Sequence, residues 1–121
     1  MNNIVCHGIP DRELVLTRGD IINVDVTVFV GGVHGDCSRT FSVGGRKAVD
    51  DAGQKLVNTT LAALEAGIAA CGPGQRWTDV QQAVTAVVDA GGFTQPGPFQ
   101  AHGIADVFHA PPFYVHYPDD G

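Results

Sequence analysis

Asp25 and Asp36 stand on either side of Gly31-Gly32 in a stretch where polar and apolar residues alternate. Folding the chain at the two glycines, a favoured two-residue hairpin turn, pairs Val30 with Val33, Thr27 with Asp36 and Asp25 with Ser38. The two aspartates then project from one face as diagonal cross-strand neighbours, roughly 7–8 Å apart at Cα. Carboxylates that converge in this way repel unless a cation or a proton lies between them. Five histidines add imidazole donors: His7, His34, His102, His109 and His116. His102 and His109 share one short segment, and Gly103 lets the backbone beside His102 approach another group closely. Aspartate oxygens with imidazole nitrogen suit a mixed carboxylate–imidazole metal centre. A merely solvated sheet face is the plainer alternative, but this face carries few long charged side chains. His34 and His116 read as structural. Cys6-His7 lacks a third group to orient a thiol nucleophile, and the chain has no phosphate loop, G-x-S-x-G elbow or HExxH.

These residues need a frame. Asn23, Asp25, Thr27 and Phe29 share a face with His34, Asp36, Ser38 and Thr40, while Val24, Val26, Val28 and Val30 face the other way. A one-residue slip would set Asp36 among the valines, so the register is strongly specified. The hairpin spans about 21–43, and residues 3–6 suggest a short strand before it. Over 47–70, Val49, Ala52, Leu56, Thr60, Leu64 and Ile68 form one helical stripe, ended by Cys71-Gly72-Pro73-Gly74. Thr78-Asp-Val-Gln81 has the form of a capping box. It opens a second helix through Val80, Val84, Val87 and Val88 that Gly91-Gly92 closes. From Phe93 onward, Gly, Pro, His and aromatic residues suggest short strands and loops around a site. A hairpin, two amphipathic helices and C-terminal short strands make the fold class α+β.

Composition narrows the function. A chain of 121 residues holds one domain and not two comfortable ones. Its net charge of −6 argues against nucleic acid or an anionic membrane as partner. No apolar run reaches transmembrane length, and the first residues do not resemble a signal peptide. Three cysteines without a disulfide or zinc spacing fit a reducing cytosol, hence a cytoplasmic protein.

Four pieces carry a family resemblance: Cys6-His-Gly-Ile-Pro10, Gly19-Asp-Ile-Ile-Asn-Val-Asp-Val-Thr27, His34-Gly-Asp-Cys-Ser-Arg-Thr-Phe41, and His102-Gly-Ile with Phe108-His109 and Pro112. In order and spacing they resemble the methionine aminopeptidases of the pita-bread metallopeptidase group. The resemblance implies two divalent metal ions (Co, Mn, Fe or Zn). Asp25 would chelate one, Asp36 would bridge both and His102 would bind the second. It also implies that His109 hydrogen-bonds substrate or intermediate, that His7 sits beside the scissile amide, and that Phe108 walls the pocket for the first side chain. The substrate would be the N-terminus of a peptide or nascent protein, losing its methionine.

The family's centre also needs two glutamates downstream of the His102 motif. Glu13 and Glu65, the chain's only glutamates, match neither position. Ala101 and Ala105 replace glycines of the histidine motif, and Cys37 replaces a threonine. Residues 1–121 are therefore expected to be one partial pita-bread catalytic domain, without an N-terminal segment and the glutamate-bearing strands, and with little activity alone. Two alternatives stand beside this reading: a pita-bread peptidase cleaving Xaa-Pro bonds, and a non-catalytic pita-bread module that binds protein.

Overall fold

A computed structural model describes residues 1–97 and 99–117. Two ten-residue strands, β1 (Ile21–Val30) and β2 (Val33–Ser42), form the hairpin. Gly31 and Gly32 take φ of 62° and 87°, the left-handed pair that a tight turn between twisted strands demands. The register pairs Val30 with Val33, Thr27 with Asp36 and Asp25 with Ser38, as the alternation requires. Side-chain contacts on the polar face agree. Asn23 Nδ2 donates to Thr40 Oγ1 at 3.2 Å, and Thr27 Oγ1 donates to Asp36 Oδ1 at 2.9 Å.

Residues 3–6 form no strand. What holds the N-terminal segment to the hairpin is Asn2. Its backbone N–H donates to the Ile21 carbonyl and its Oδ1 accepts from the Ile21 N–H, each at 3.1 Å. One asparagine thus supplies both halves of a strand-like pair, and the apolar residues Ile4 and Val5 that suggested a strand stay exposed.

After a single 3-10 turn (Arg46–Ala48), helix α1 runs Asp51–Ala70. It starts later than the periodicity suggests because Asp50 is the N-cap, its Oδ1 accepting from the Gly53 N–H at 2.7 Å. Helix α2 (Trp77–Ala90) is capped two residues earlier than Thr78, the expected N-cap. Arg76 is its N-cap, and the Asp79 carboxylate reaches back to the Arg76 N–H at 2.9 Å. The guanidinium has no acceptor, so only this half of a capping box forms, reinforced by the Arg76–Asp79 ion pair at 2.9 Å.

The expected stripe on α1 is not its buried face. Ala63 and Gly67 are buried, whereas Leu64 and Ile68 are 57% and 63% exposed. Helix α2 explains the choice. A Cβ at Gly67 would lie 2.9 Å from Val84 Cγ2 and 3.7 Å from Val80 Cγ1, so the helices approach through small residues on α1 and valines on α2. Val80 is buried and Val84, Val87 and Val88 are half-buried, as the second helix's periodicity predicts.

The chain ends in a second antiparallel pair, β3 (Gln100–Gly103) with β4 (Ala110–Val115). Trp77 of α2 stacks on Tyr114 of β4, with centroids 4.4 Å apart and planes 16° from parallel, joining the helices to this pair. The elements are those of an α+β fold.

Candidate active site

Asp25 and Asp36 are both exposed on the polar face of β1–β2, where the hairpin register puts them. Thr27 engages one oxygen of Asp36 and leaves the other, together with the Asp25 carboxylate, available to a cation.

His102 lies on β3, half-buried, with Nδ1 3.0 Å from the Gly103 carbonyl. A carbonyl only accepts, so Nδ1 carries the proton and the lone pair of the neutral ring sits on Nε2, the nitrogen free to ligate. The register of the second sheet is regular through His102, opposite Phe113, and shifts between His102 and Gly103. A Cβ on Gly103 would collide with the Pro111 carbonyl and come within 2.9 Å of the Ala110 carbonyl oxygen. The close approach expected of Gly103 is thus an approach to the backbone of β4.

Residues 104–109 form an arm between β3 and β4 that folds onto the hairpin. The His34 N–H donates to the Ala105 carbonyl at 2.7 Å, and His34 Nδ1 lies 3.0 Å from the same oxygen. Rings continue the contact. Phe29 meets His34 at 4.6 Å between centroids, His34 stacks on Phe108 at 5.4 Å, and Phe108 stacks on His109 at 4.1 Å. His109 then meets His102 edge-on at 4.4 Å. The chain of rings runs from the hairpin turn to the β3 histidine.

Three of the expected site residues, His102, Phe108 and His109, are therefore in mutual contact, and Asp25 and Asp36 share a strand face. Among the described residues, no group of three or more His, Cys, Asp or Glu side chains lies close enough to hold a metal ion. Asp25, Asp36 and His102 accordingly stand as two parts, a carboxylate pair and a histidine arm. His7 joins neither through a hydrogen bond or ring contact among the described residues. It is exposed in the irregular N-terminal segment, with φ of 50°, an uncommon conformation for a residue with a side chain. His116 is elsewhere, edge-on to Tyr114 at 5.4 Å, and burial pushes its imidazole below the usual value.

The structural place that the sequence gives His34 comes without its partner, the Ala105 carbonyl. Its signal was parity: His34 lies two residues before Asp36 and so on the same face.

The metallopeptidase family M24 model matches residues 1–121. Methionine aminopeptidase A of Synechocystis is 47% identical over 117 residues, which are 97% of this chain and 45% of that protein. The mitochondrial methionine aminopeptidase 1D of Danio rerio is 43% identical over 120 residues, 99% of this chain and 34% of that protein. The crystal structure of methionine aminopeptidase from Rickettsia prowazekii superposes with a TM-score of 0.87 at 35% identity, covering 97% of this chain and 46% of the other. The fold is thus that of part of a pita-bread domain. The chain belongs to metallopeptidase family M24 and spans about a third to a half of the length of these relatives.

Proposed function

We propose that this chain contributes to a metal-dependent aminopeptidase that removes the N-terminal methionine of peptides and nascent proteins. The observation that carries the reading is the register of β1 with β2. It sets Asp25 and Asp36 on one face, while the histidine arm is tied to the same hairpin through Ala105.

The donor set fits divalent metal in chemistry: two hard carboxylates and an imidazole whose Nε2 is free. Asp25, Asp36 and His102 would hold two such ions, whose identity among Co, Mn, Fe and Zn depends on availability as much as on ligand type. Bound divalent ions acidify water and polarise a carbonyl, which gives peptide hydrolysis its nucleophile near neutral pH. The chain's own residues do the rest. Thr27 fixes one oxygen of Asp36. His109, exposed between Phe108 and His102 in the ring chain, donates a hydrogen bond where negative charge develops on the substrate oxygen. His7 would stand beside the scissile amide and donate toward the leaving nitrogen. Its left-handed backbone is the kind of local strain found at functional positions. Phe108, packed between His34 and His109, offers an apolar wall for the first side chain.

Glu13 lies in the irregular N-terminal segment and Glu65 is exposed on α1. The 121 residues thus supply three of the ligands this reading asks for, and on their own they should bind metal weakly and turn over little. A cytoplasmic location is part of the proposal, supported by three exposed, unpaired cysteines. Among the described residues no helix is long and apolar enough to cross a membrane.

Titration of Mn²⁺ into the chain by calorimetry tests the site. Affinity should fall at least about tenfold in Asp25→Ala and in Asp36→Ala, since even the outer-shell partners of metal ligands are worth about 10–100-fold in affinity. Unchanged affinity in both variants would favour a module that binds protein without metal. Turnover of Met-Gly peptides by the chain alone with Co²⁺ or Mn²⁺ would contradict its expected inactivity. In an active form, Met-Ala peptides should be cut in preference to Ala-Pro peptides, the reverse result favouring an Xaa-Pro peptidase.

A further inference from the structure

His34 spans the two parts of the candidate site. It sits on β2, two residues before Asp36, and its bonding partner lies 71 positions away, in the arm that carries Phe108 and His109. Both hydrogen-bonding groups of one residue converge on one oxygen, the Ala105 carbonyl: the backbone N–H at 2.7 Å and ring Nδ1 at 3.0 Å. The acceptor leaves no choice of tautomer, so Nδ1 carries the proton. Its ring is also the link between Phe29 on β1 and Phe108 on the arm, at 4.6 Å and 5.4 Å. The arm itself is short of other ties. Its internal backbone bond is Ala105 N–H to the Val107 carbonyl at 3.2 Å, and Ile104, Val107 and His109 are exposed. With little apolar burial to hold it, the arm's position depends on directional bonds.

We propose that His34 is the positioning residue of this site: its Nδ1–H bond to Ala105 holds the arm bearing Phe108 and His109, and through His109 the ring of His102, against the aspartate hairpin. The role deepens the metallo-aminopeptidase reading and rests on it for its catalytic meaning, but the positioning itself is a property of the metal-free chain.

Two substitutions separate the bond from the ring. His34→Asn places an amide N–H near the position of Nδ1 and removes the ring. His34→Phe keeps the ring between Phe29 and Phe108 and removes the donor. NMR on the metal-free 121-residue chain reads the outcome in two places. One is hydrogen exchange of the residue 34 amide, which is protected only while the Ala105 carbonyl stays on the strand. The other is the set of His102 and His109 ring resonances, which neighbouring rings shift. In His34→Phe, exchange at residue 34 should quicken about five- to tenfold, as loss of one hydrogen bond predicts. The His102 and His109 resonances should move toward free-imidazole values, while the amides of Val26 and Cys37, paired across the hairpin, keep their protection. In His34→Asn both readouts should stay near wild type.

Wild-type arm signals in His34→Phe, or loss of the arm in His34→Asn, would overturn the proposal. Should His34→Phe unfold the hairpin as well, the His34→Asn result decides alone. Added Mn²⁺ then addresses the other question. Broadening of Asp25 and Asp36 signals in the wild-type chain supports the metal reading, and its absence counts against that reading while the metal-free result for His34 stands.

Discussion

Asp36 is placed by its cross-strand partner and His102 by its own neighbour, and the two cases differ in how far the sequence reveals them. Thr27 stands opposite Asp36 because the strand alternates and the turn is two glycines long, so both the pairing and the shared face of Asp25 and Asp36 can be read without coordinates. Gly103 is legible in the same way, as a residue that admits close approach, although the group it meets, the β4 backbone, is not. His34 was harder. A histidine's side chain can be placed on a face by parity, but its acceptor here is a backbone carbonyl from a distant loop, and carbonyls carry no sequence signature. His116 shows a further effect of place. Half-buried beside Tyr114, it is pushed by burial below its usual pKa. The folded chain therefore binds this proton less readily than the unfolded chain. The resulting stability is fully present above the unfolded value near 6.5 and is lost as pH falls toward the lowered folded value. Urea unfolding between pH 7.5 and 5.5 should show a smaller pH-dependent loss in His116→Gln than in wild type. An equal loss in both would remove His116 as a contributor.

At the scale of elements, periodicity located both helices and the hairpin but misjudged one helix face. On α1 it favours Leu56, Leu64 and Ile68, the most apolar residues, yet the contact with α2 is made where Ala63 and Gly67 let the backbones come together. Hydrophobicity scores reward side-chain bulk, whereas a close helix crossing rewards its absence. Capping signals failed for a related reason. Thr78 is a better N-cap by type than Arg76, but Asp79 can satisfy the Arg76 N–H and pair with its guanidinium at once. The β3–β4 pair offers the clearest test of an element. Gly103→Ala would drive a methyl group into the carbonyls of Ala110 and Pro111, which belong to the backbone and cannot rotate away. Overpacking of this kind costs about 1–3 kcal/mol. The midpoint of urea unfolding should fall accordingly, and the His102 ring signals should shift with it. A midpoint within error of wild type would mean that the two strands separate more easily than their register implies.

Across the whole chain, charge and exposed apolar surface pull in opposite directions. The face of the hairpin opposite the aspartates is uncovered: Val26 and Val28 are 48% and 51% exposed, with Val30 at 70% and Phe41 at 50%. Among the described residues the β1–β2 sheet has two strands, so beyond the bonds of Ile21 to Asn2 and His34 to Ala105 each strand presents an open edge beside that face. Apolar patches next to open edges favour self-association, which a net charge of −6 opposes at neutral pH. That opposition should vanish near pH 5.0, the sequence pI. Light scattering at micromolar concentration should therefore rise steeply as pH approaches that value. The double variant Val26→Thr with Val28→Glu keeps a strand-compatible residue at position 26 and adds a negative charge in the middle of the patch. It leaves the polar face, with Asp25 and Asp36, unaltered. Its sedimentation coefficient at neutral pH should be that of a monomer over a wider concentration range than wild type, with the same far-ultraviolet circular dichroism. Association as strong as wild type's, with the fold intact, would place the sticky surface elsewhere, and the exposed Leu64–Ile68 stripe of α1 would be the next face to charge.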